Sequence, residues 1–299
     1  MDTLNDVLQF SINALSLGSL YALMALGLAI VYGILRLVNF AYGELVMVGG
    51  YTLLVLGAGW MPWVIVALLA VAMAVITSLL LERVAFRPVR NASANTMLVT
   101  SFGVSILLQN AALLLVSPRA QAVALPSIFT QNITVGGLTI STMNILTLVV
   151  CFTLLGLLTL FLTRSLLGIA LRAAADDFTM TRLLGIPANR VIATAFAISG
   201  GLAGVVAIIW TGRVGSVTPS MGLTPVLIAF VATVIGGMES LVGAVVGGFL
   251  LGILTVGLQS VLPQNLLDFR QAVVFAIVIL VLLFRPQGLI QGKYARERV

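Results

Sequence analysis

The sequence predicts an all-α polytopic membrane protein, and three observations carry that prediction. Of its 299 residues, 61% are hydrophobic and 8% charged, against the ~25% charged of an ordinary soluble domain. The mean hydropathy is +1.20, so much of the folded surface has to face something other than water. Apolar stretches near the ~20 residues that cross a ~30 Å hydrocarbon layer as helix recur along the whole chain. A soluble globular domain is excluded, because 15 basic and nine acidic side chains cannot coat a body of this size.

Taken in order, segments 8–31, 40–56, 62–81, 96–116, 143–163, 191–210 and 241–262 read as full spans. Two further segments are irregular. Segment 225–235 is too short to cross alone, and 271–284 is also short unless it extends back past Arg270 and Asp268. The expectation is eight or nine transmembrane helices, one of them a half-helix. The first span follows Asp2 and Asp6 with no preceding Lys or Arg and is longer than a signal-peptide core, so it reads as a membrane helix. With the N-terminus outside, twelve of the fifteen Lys and Arg residues, from Arg36 to Arg298, fall in inside loops. Only Arg119, Arg213 and Arg270 fall outside. This asymmetry predicts an N-out, C-in orientation, with a cytoplasmic tail over 285–299. The external loop 117–142 is rich in Pro, Gly, Thr and Asn and carries one charge, as a structured loop lining a mouth would.

Composition also narrows the chemistry. Histidine is absent and Cys151 is the only cysteine. Zinc sites, Ser-His-Asp triads and imidazole relays are therefore excluded in this chain, and no catalytic residues or metal ligands are expected. The pI near 10.2 comes from basic residues scattered between apolar runs rather than from one stripe, which argues against a nucleic-acid partner. A phosphate-binding loop needs Gly-x-x-x-x-Gly-Lys followed by Ser or Thr. The only lysine, Lys293, lies between Gly292 and Tyr294, so no cofactor is expected here, and any ATP-binding site is on another polypeptide.

Segment 164–190 is the longest inside loop. Residues 172–184 are good helix formers, and Gly185 followed by Pro187 is a helix stop. The expectation is one short cytoplasmic helix and a sharp turn. Its apolar side chains do not form a span, so they pack either on this chain's own bundle or on another protein. Glu44 and Glu239 are the acidic groups nearest the membrane interior. An ionised carboxylate at mid-membrane costs roughly 2.5 to 3.5 kcal/mol, so Glu44 either faces the bundle interior with a partner or lies at a hydrated interface. Asn39 is five residues away, near the membrane edge. Pairs of glycines four apart, Gly200 with Gly204, Gly243 with Gly247 and Gly248 with Gly252, predict close helix contacts.

Over residues 17–51 the sequence resembles the smaller membrane subunit of the branched-chain amino-acid ABC transporter permeases. The resemblance rests on Tyr32 and Gly33, then Asn39, Phe40 and Ala41, then Gly43 and Glu44. Arg172, Ala173, Asp177, Leu184, Gly185, Ile186, Phe196 and Gly204 fit the same family, as does the stretch from Arg285 to Leu289, so the likeness runs nearly end to end. The family often has His before the Gly-Glu pair where this chain has Tyr42, so a role for that imidazole does not transfer. Thr181 stands where a small Ala is common.

The resemblance implies a non-catalytic permease subunit of an ATP-driven importer, a single transmembrane permease domain over 1–299. Its implied partners are cytoplasmic ATP-binding subunits, a second permease that is related or identical, an extracytoplasmic solute-binding protein, and lipid. It implies a bacterial inner-membrane location and a substrate among branched-chain or other amino acids, urea and short amides. Asn39, Tyr42, Glu44 and Glu239 are then candidates for the translocation path. Arg172, Ala173, Asp177, Thr179, Arg182, Leu184, Gly185 and Pro187 are candidates for coupling to the ATPase. A self-sufficient secondary transporter or channel is the competing reading, although Glu44 and Glu239 without any histidine supply little for proton coupling.

Overall fold

In the computed structural model, residues 2–59, 61–90, 92–126, 129, 131–135, 138–285 and 288–290 are described. Among the described residues six helices are long and apolar enough to cross a membrane: α1 (Asp2–Leu35), α3 (Trp63–Leu81, continuing to Val89), α5 (Ala94–Leu115), α6 (Thr142–Arg164), α9 (Ala188–Val214) and α11 (Leu241–Val261). Three shorter apolar helices are α2 (Tyr42–Gly57), α10 (Leu223–Gly236) and α12 (Arg270–Phe284). The remaining helical pieces are α4 (Arg87–Val89), α7 (Leu166–Asp176) and α8 (Phe178–Leu183).

Segment 40–56, expected as a full span, forms a helix of only 16 residues, about 24 Å at 1.5 Å per residue. The cause is local. Asn39 Oδ1 accepts from the Ala41 N–H at 3.1 Å, and that turn sets the helix start at Tyr42. The half-helix expected over 225–235 is α10, with 14 residues. It stops at Gly237, whose φ of +108° is left-handed and favours glycine. The carbonyls at its end are satisfied from the C-terminal motif: Leu289 N–H donates to Ile235 O at 2.8 Å and Ile290 N–H to Gly236 O at 3.0 Å. Pro286, Gln287 and the tail beyond 290, including Lys293, lie outside the described residues. The last apolar run does not extend back past Arg270 as α-helix; a 3-10 turn, Gln264–Phe269, precedes it.

The all-helical expectation needs one addition. Among the described residues two small antiparallel pairs occur, β1 (Gln121–Ala122) with β4 (Ser216–Val217), and β2 (Asn132–Val135) with β3 (Leu138–Ser141). Three of these four strands lie in the 117–142 loop, where Thr, Val and Ile alternate with turn residues.

The chain divides into two compact units. The first comprises residues 1–29, 126–154 and 228–299. Within it α1 and α11 touch backbone to backbone. A Cβ added at Gly252 would collide with Gly18, and one at Gly248 would lie 2.8 Å from Tyr21 C. Near the start of α6, Asn144 Nδ2 donates to Asn13 Oδ1 at 2.8 Å, and Ser16 Oγ donates to Asn144 Oδ1 at 3.2 Å.

The second unit comprises residues 30–125 and 155–227. Its centre is the contact of α9 with α3 and α2. A Cβ at Gly204 would lie 2.6 Å from Val71 Cα, one at Gly200 2.6 Å from Ser78 Cβ, and one at Gly49 2.6 Å from Ala207 Cβ. Gly243 and Gly247 on α11 press in the same way on Gly236 and Ala232 of α10, so all three glycine pairs sit at close helix contacts, as their spacing predicts. Ser78 Oγ donates to Phe196 O at 2.6 Å, so this polar group is satisfied without water. At its end α3 widens into a π-helical turn, Glu82–Phe86. Pro88, which has no N–H to donate to Val84, follows immediately.

Candidate functional site

The first site lies at the start of α2, within the second unit. Gly43 approaches the backbone of Gly222 so closely that a Cβ on either glycine would strike the other's carbonyl group. Glu44 follows in the first turn of α2, where the helix dipole favours a negative charge, and it is only 1% exposed. Its Oε1 accepts from Ser105 Oγ at 2.8 Å and from Gln109 Nε2 at 2.7 Å. Gln109 Nε2 also lies 3.3 Å from Ser105 Oγ. Of the two settings open to Glu44, the structure supplies the interior one with partners. Its second oxygen, Oε2, is buried and has no hydrogen-bond partner among the described residues.

The same is true of the hydroxyls of Tyr42, Tyr51, Ser199 and Thr211. Tyr42 and Tyr51 are on α2, whereas Thr211 is on α9 and faces α2: its Oγ1 would lie 3.3 Å from a Cβ at Gly50. Leaving such groups unsatisfied in an apolar medium is costly, so their presence marks this part of the second unit as chemically distinct from its apolar helix contacts. Asn39 is 2% exposed and spends its side chain on the α2 turn. Asn39, Tyr42 and Glu44 are thus brought together at one helix start. Glu239 is not among them: it lies in the first unit, exposed, in the turn that precedes α11.

Sequence reasoning missed Ser105 and Gln109. The signal was present, since Ser101, Ser105 and Gln109 recur at four-residue spacing on α5 and so share one face.

The second site is the segment between α6 and α9. The single helix expected over 172–184 is instead two, α7 and α8, broken at Asp177. That residue takes an extended conformation (φ −145°, ψ 102°), and its Oδ1 accepts from the N–H groups of Thr179 and Met180, both at 2.9 Å. Capping of a new helix start outcompetes continuation of the old helix. The Gly185 stop is formed as expected. Its φ is +83°, Gly185 N–H donates to Arg182 O at 3.0 Å, and Ile186 N–H donates to Thr181 O at 3.3 Å. These two bonds constitute a Schellman motif. Thr181 is buried and donates to Asp177 O at 2.7 Å, so the hydroxyl in place of an alanine is satisfied locally. Met180, Leu183 and Leu184 are 59%, 76% and 81% exposed: three large apolar side chains on one short, well-capped helical turn. Arg172, Asp177, Thr179, Arg182 and Pro187 are exposed, and Ala173 is half-buried.

Among the described residues there is no cluster of metal-ligating side chains. Comparison with known proteins places the chain. The family described as "Branched-chain amino acid transport system / permease component" matches residues 10–282. The chain is 39% identical over its whole length to the high-affinity branched-chain amino acid transport system permease protein BraD of Pseudomonas aeruginosa, covering all of that protein. It is 38% identical to LivH, a permease protein of the same description in Escherichia coli K12, over 98% of this chain and 97% of LivH. A shorter match, 28% identical over 42% of this chain and 28% of the other, is to the E. coli permease protein LivM. No solved structure matches the chain. With a match over nearly its full length, and with the helix-start glutamate and capped turn that first suggested it, the chain belongs to the branched-chain amino acid transport permease family.

Proposed function

We propose that this protein is the non-catalytic permease subunit of an ATP-driven importer for branched-chain amino acids. The reading places it in a bacterial inner membrane with its N-terminus outside and its C-terminus inside. The observation that carries it is the end-to-end similarity to two permease proteins of high-affinity branched-chain amino acid transport systems. ATP hydrolysis is assigned to separate cytoplasmic subunits, because the only lysine lacks a phosphate-loop context. An extracytoplasmic solute-binding protein delivers the substrate. A second permease completes the path, and the partial match to LivM favours a related rather than identical partner.

Within this scheme Tyr42 and Glu44, held on the turn made by Asn39, line the path in the second unit, and Glu239 lines it in the first. The segment from Arg172 to Pro187 meets the ATPase: Thr179 and Leu184 contact it and Arg182 flanks that contact, while the Asp177 cap and the Gly185 stop hold the short helix that presents them. Support comes from the exposed Met180, Leu183 and Leu184, which need a cover that the described parts of this chain do not provide. The test is reconstitution. The chain assembled with its ATP-binding subunits, second permease and binding protein should accumulate labelled leucine only with ATP. The chain alone should neither hydrolyse ATP nor move leucine under an ion gradient, and gradient-driven accumulation by the lone chain would sink the assignment.

A further inference from the structure

Beside the docking turn proposed above, the second unit contains a cleft of about 340 Å³, within the ~300–1,000 Å³ range of small-ligand sites. Three apolar helices meet at it by their ends. Leu35 is the last residue of α1, Arg90 follows Val89 at the end of the α3 span, and Ala188 is the first residue of α9. A cleft at the level where membrane helices end lies where hydrocarbon gives way to lipid headgroups. Two guanidinium groups, Arg90 and Arg182, line it, and no carboxylate does. Arg90 donates to Asn189 Oδ1, which fixes its plane and leaves its other N–H donors available. The Arg182 guanidinium makes no hydrogen bond among the described residues.

Of the acids in the flanking segments, Glu82, Asp176 and Asp177, none lines the cleft. Glu82 interacts electrostatically with Arg83, Arg87 and Arg90 together, one carboxylate against three guanidiniums. Asp177 is committed to the first turn of α8. Pro187 gives the first turn of α9 no side-chain cap, so the positive end of that long helix adds to the field. Leu35, Phe178 and Ile192 form an apolar wall to the same cleft. A site with two cations and an apolar wall, at headgroup depth, suits an anion that carries hydrocarbon.

We propose that this cleft binds the phosphate of an anionic phospholipid headgroup, with Arg90 and Arg182 as its cations and Leu35, Phe178 and Ile192 against the glycerol and upper acyl chain. Because Arg182 and Phe178 belong to α8, the bound lipid ties that short helix to the ends of α1, α3 and α9 in this unit. The transporter's short helix would then be sensitive to the anionic-lipid content of the membrane.

The experiment uses the full-length chain in its assembled transporter, delipidated in mild detergent and titrated with phosphatidylglycerol or phosphatidylcholine. Bound lipid is counted by native mass spectrometry. Phosphatidylglycerol should bind in preference. Arg90→Gln and Arg182→Gln should each weaken it about fivefold and the pair about thirtyfold, as expected for ~1 kcal/mol per basic residue near a membrane surface. Replacing both by Lys should preserve most of the binding. Millimolar inorganic phosphate should not displace the lipid, since it lacks the apolar contacts. The proposal is overturned if the double Gln variant binds phosphatidylglycerol as the parent does, or if phosphatidylcholine binds equally well. Displacement by inorganic phosphate would show a free-anion site instead. Absence of lipid in the assembled complex would show that ATPase side chains fill the cleft.

Discussion

The contact between α9 and α3 offers a test in which two neighbouring glycines should behave in opposite ways. At Gly204 an added Cβ would lie 2.6 Å from Val71 Cα, 3.2 Å from Ala74 Cβ and 3.3 Å from Val71 Cβ. Carbon atoms rest at about 3.5–4.0 Å, so Gly204→Ala has to part the two helices locally by roughly 1 Å. A gap of that size forfeits up to half of each contact's attraction along the seam, and overpacking of this kind costs about 1–3 kcal/mol. At Gly201 the only near neighbour of an added Cβ is Val75 Cγ2 at 3.7 Å, an ordinary contact. Both substitutions gain the same helix propensity, up to ~1 kcal/mol. The difference between the variants therefore isolates the steric term, about 5- to 150-fold in the unfolding equilibrium. Unfolding by SDS titration from mild detergent, followed by tryptophan fluorescence, should place Gly204→Ala below the parent and Gly201→Ala at or above it. Coincident midpoints for the two variants would refute the reasoning.

Glu44→Leu should destabilise by about 1–3 kcal/mol, because the Ser105 hydroxyl and the Gln109 amide lose their shared acceptor. Adding Ser105→Ala and Gln109→Leu should recover most of that loss, and equal stability of the single and triple variants would show that the cluster is not coupled. Asp177→Ala removes the cap of α8 at a cost of about 1 kcal/mol, and Gly185→Val forces a β-branched residue to φ +83°, where such residues are outliers. Both should leave membrane insertion intact while lowering ATPase association and leucine uptake; undiminished uptake in both would make this segment a mere connector. Tyr51→Phe and Thr211→Val should leave stability unchanged or raise it, since each removes a hydroxyl without a partner, yet both should slow uptake; a marked loss of stability would show that those hydroxyls are satisfied. Single cysteines at Asp2 and Gln131, in a Cys151→Ala background, should react with an impermeant thiol reagent from outside, while one at Glu297 should not; labelling at 297 in sealed right-side-out vesicles would reverse the orientation.

What was legible in the sequence follows from which physical quantities a sequence displays. Length and hydropathy are local sums, so the long spans and the short α10 were readable from them. Glycine spacing on a helix is also local, and Gly204 and Gly252 do sit where two backbones meet. The Gly185 stop was readable because only glycine adopts its φ at little cost. Hydropathy does not register backbone state, however. Phe40 and Ala41 are as apolar as the span they precede, yet the Asn39 turn holds them outside α2. The break at Asp177 was hidden by the alanines before it. Asp177 also carried the opposite signal, as a preferred N-cap residue, and the energy of two N–H bonds to its carboxylate decided between them. The Glu44 cluster depends on residues 61 and 65 positions away, and no local sum reports such a pairing.

The polar groups of the second unit fall into two kinds, and the contrast bears on function. Ser78, in the closed contact of α3 with α9, spends its hydroxyl on a backbone carbonyl at 2.6 Å, so two helices can be pressed together with nothing left unsatisfied. The Tyr51 and Thr211 hydroxyls and Glu44 Oε2 are equally buried but carry no such bond. A fold selected for stability alone would favour Phe in place of Tyr51 and Val in place of Thr211, since apolar isosteres avoid the cost of a buried unpaired group. Retaining the polar groups fits a requirement for hydrogen-bonding capacity that is left unspent within the chain. On the proposed path past Tyr42 and Glu44, an ammonium group, a carboxylate or water would use that capacity where α2 and α9 part. The glycine contacts favour that parting too, because a seam built on Gly49, Gly50 and Gly204 has few interlocked side chains to disengage. Tight but smooth backbone contacts and unspent hydroxyls are therefore complementary, the first permitting movement between α2 and α9 and the second giving a polar solute something to bind when it occurs.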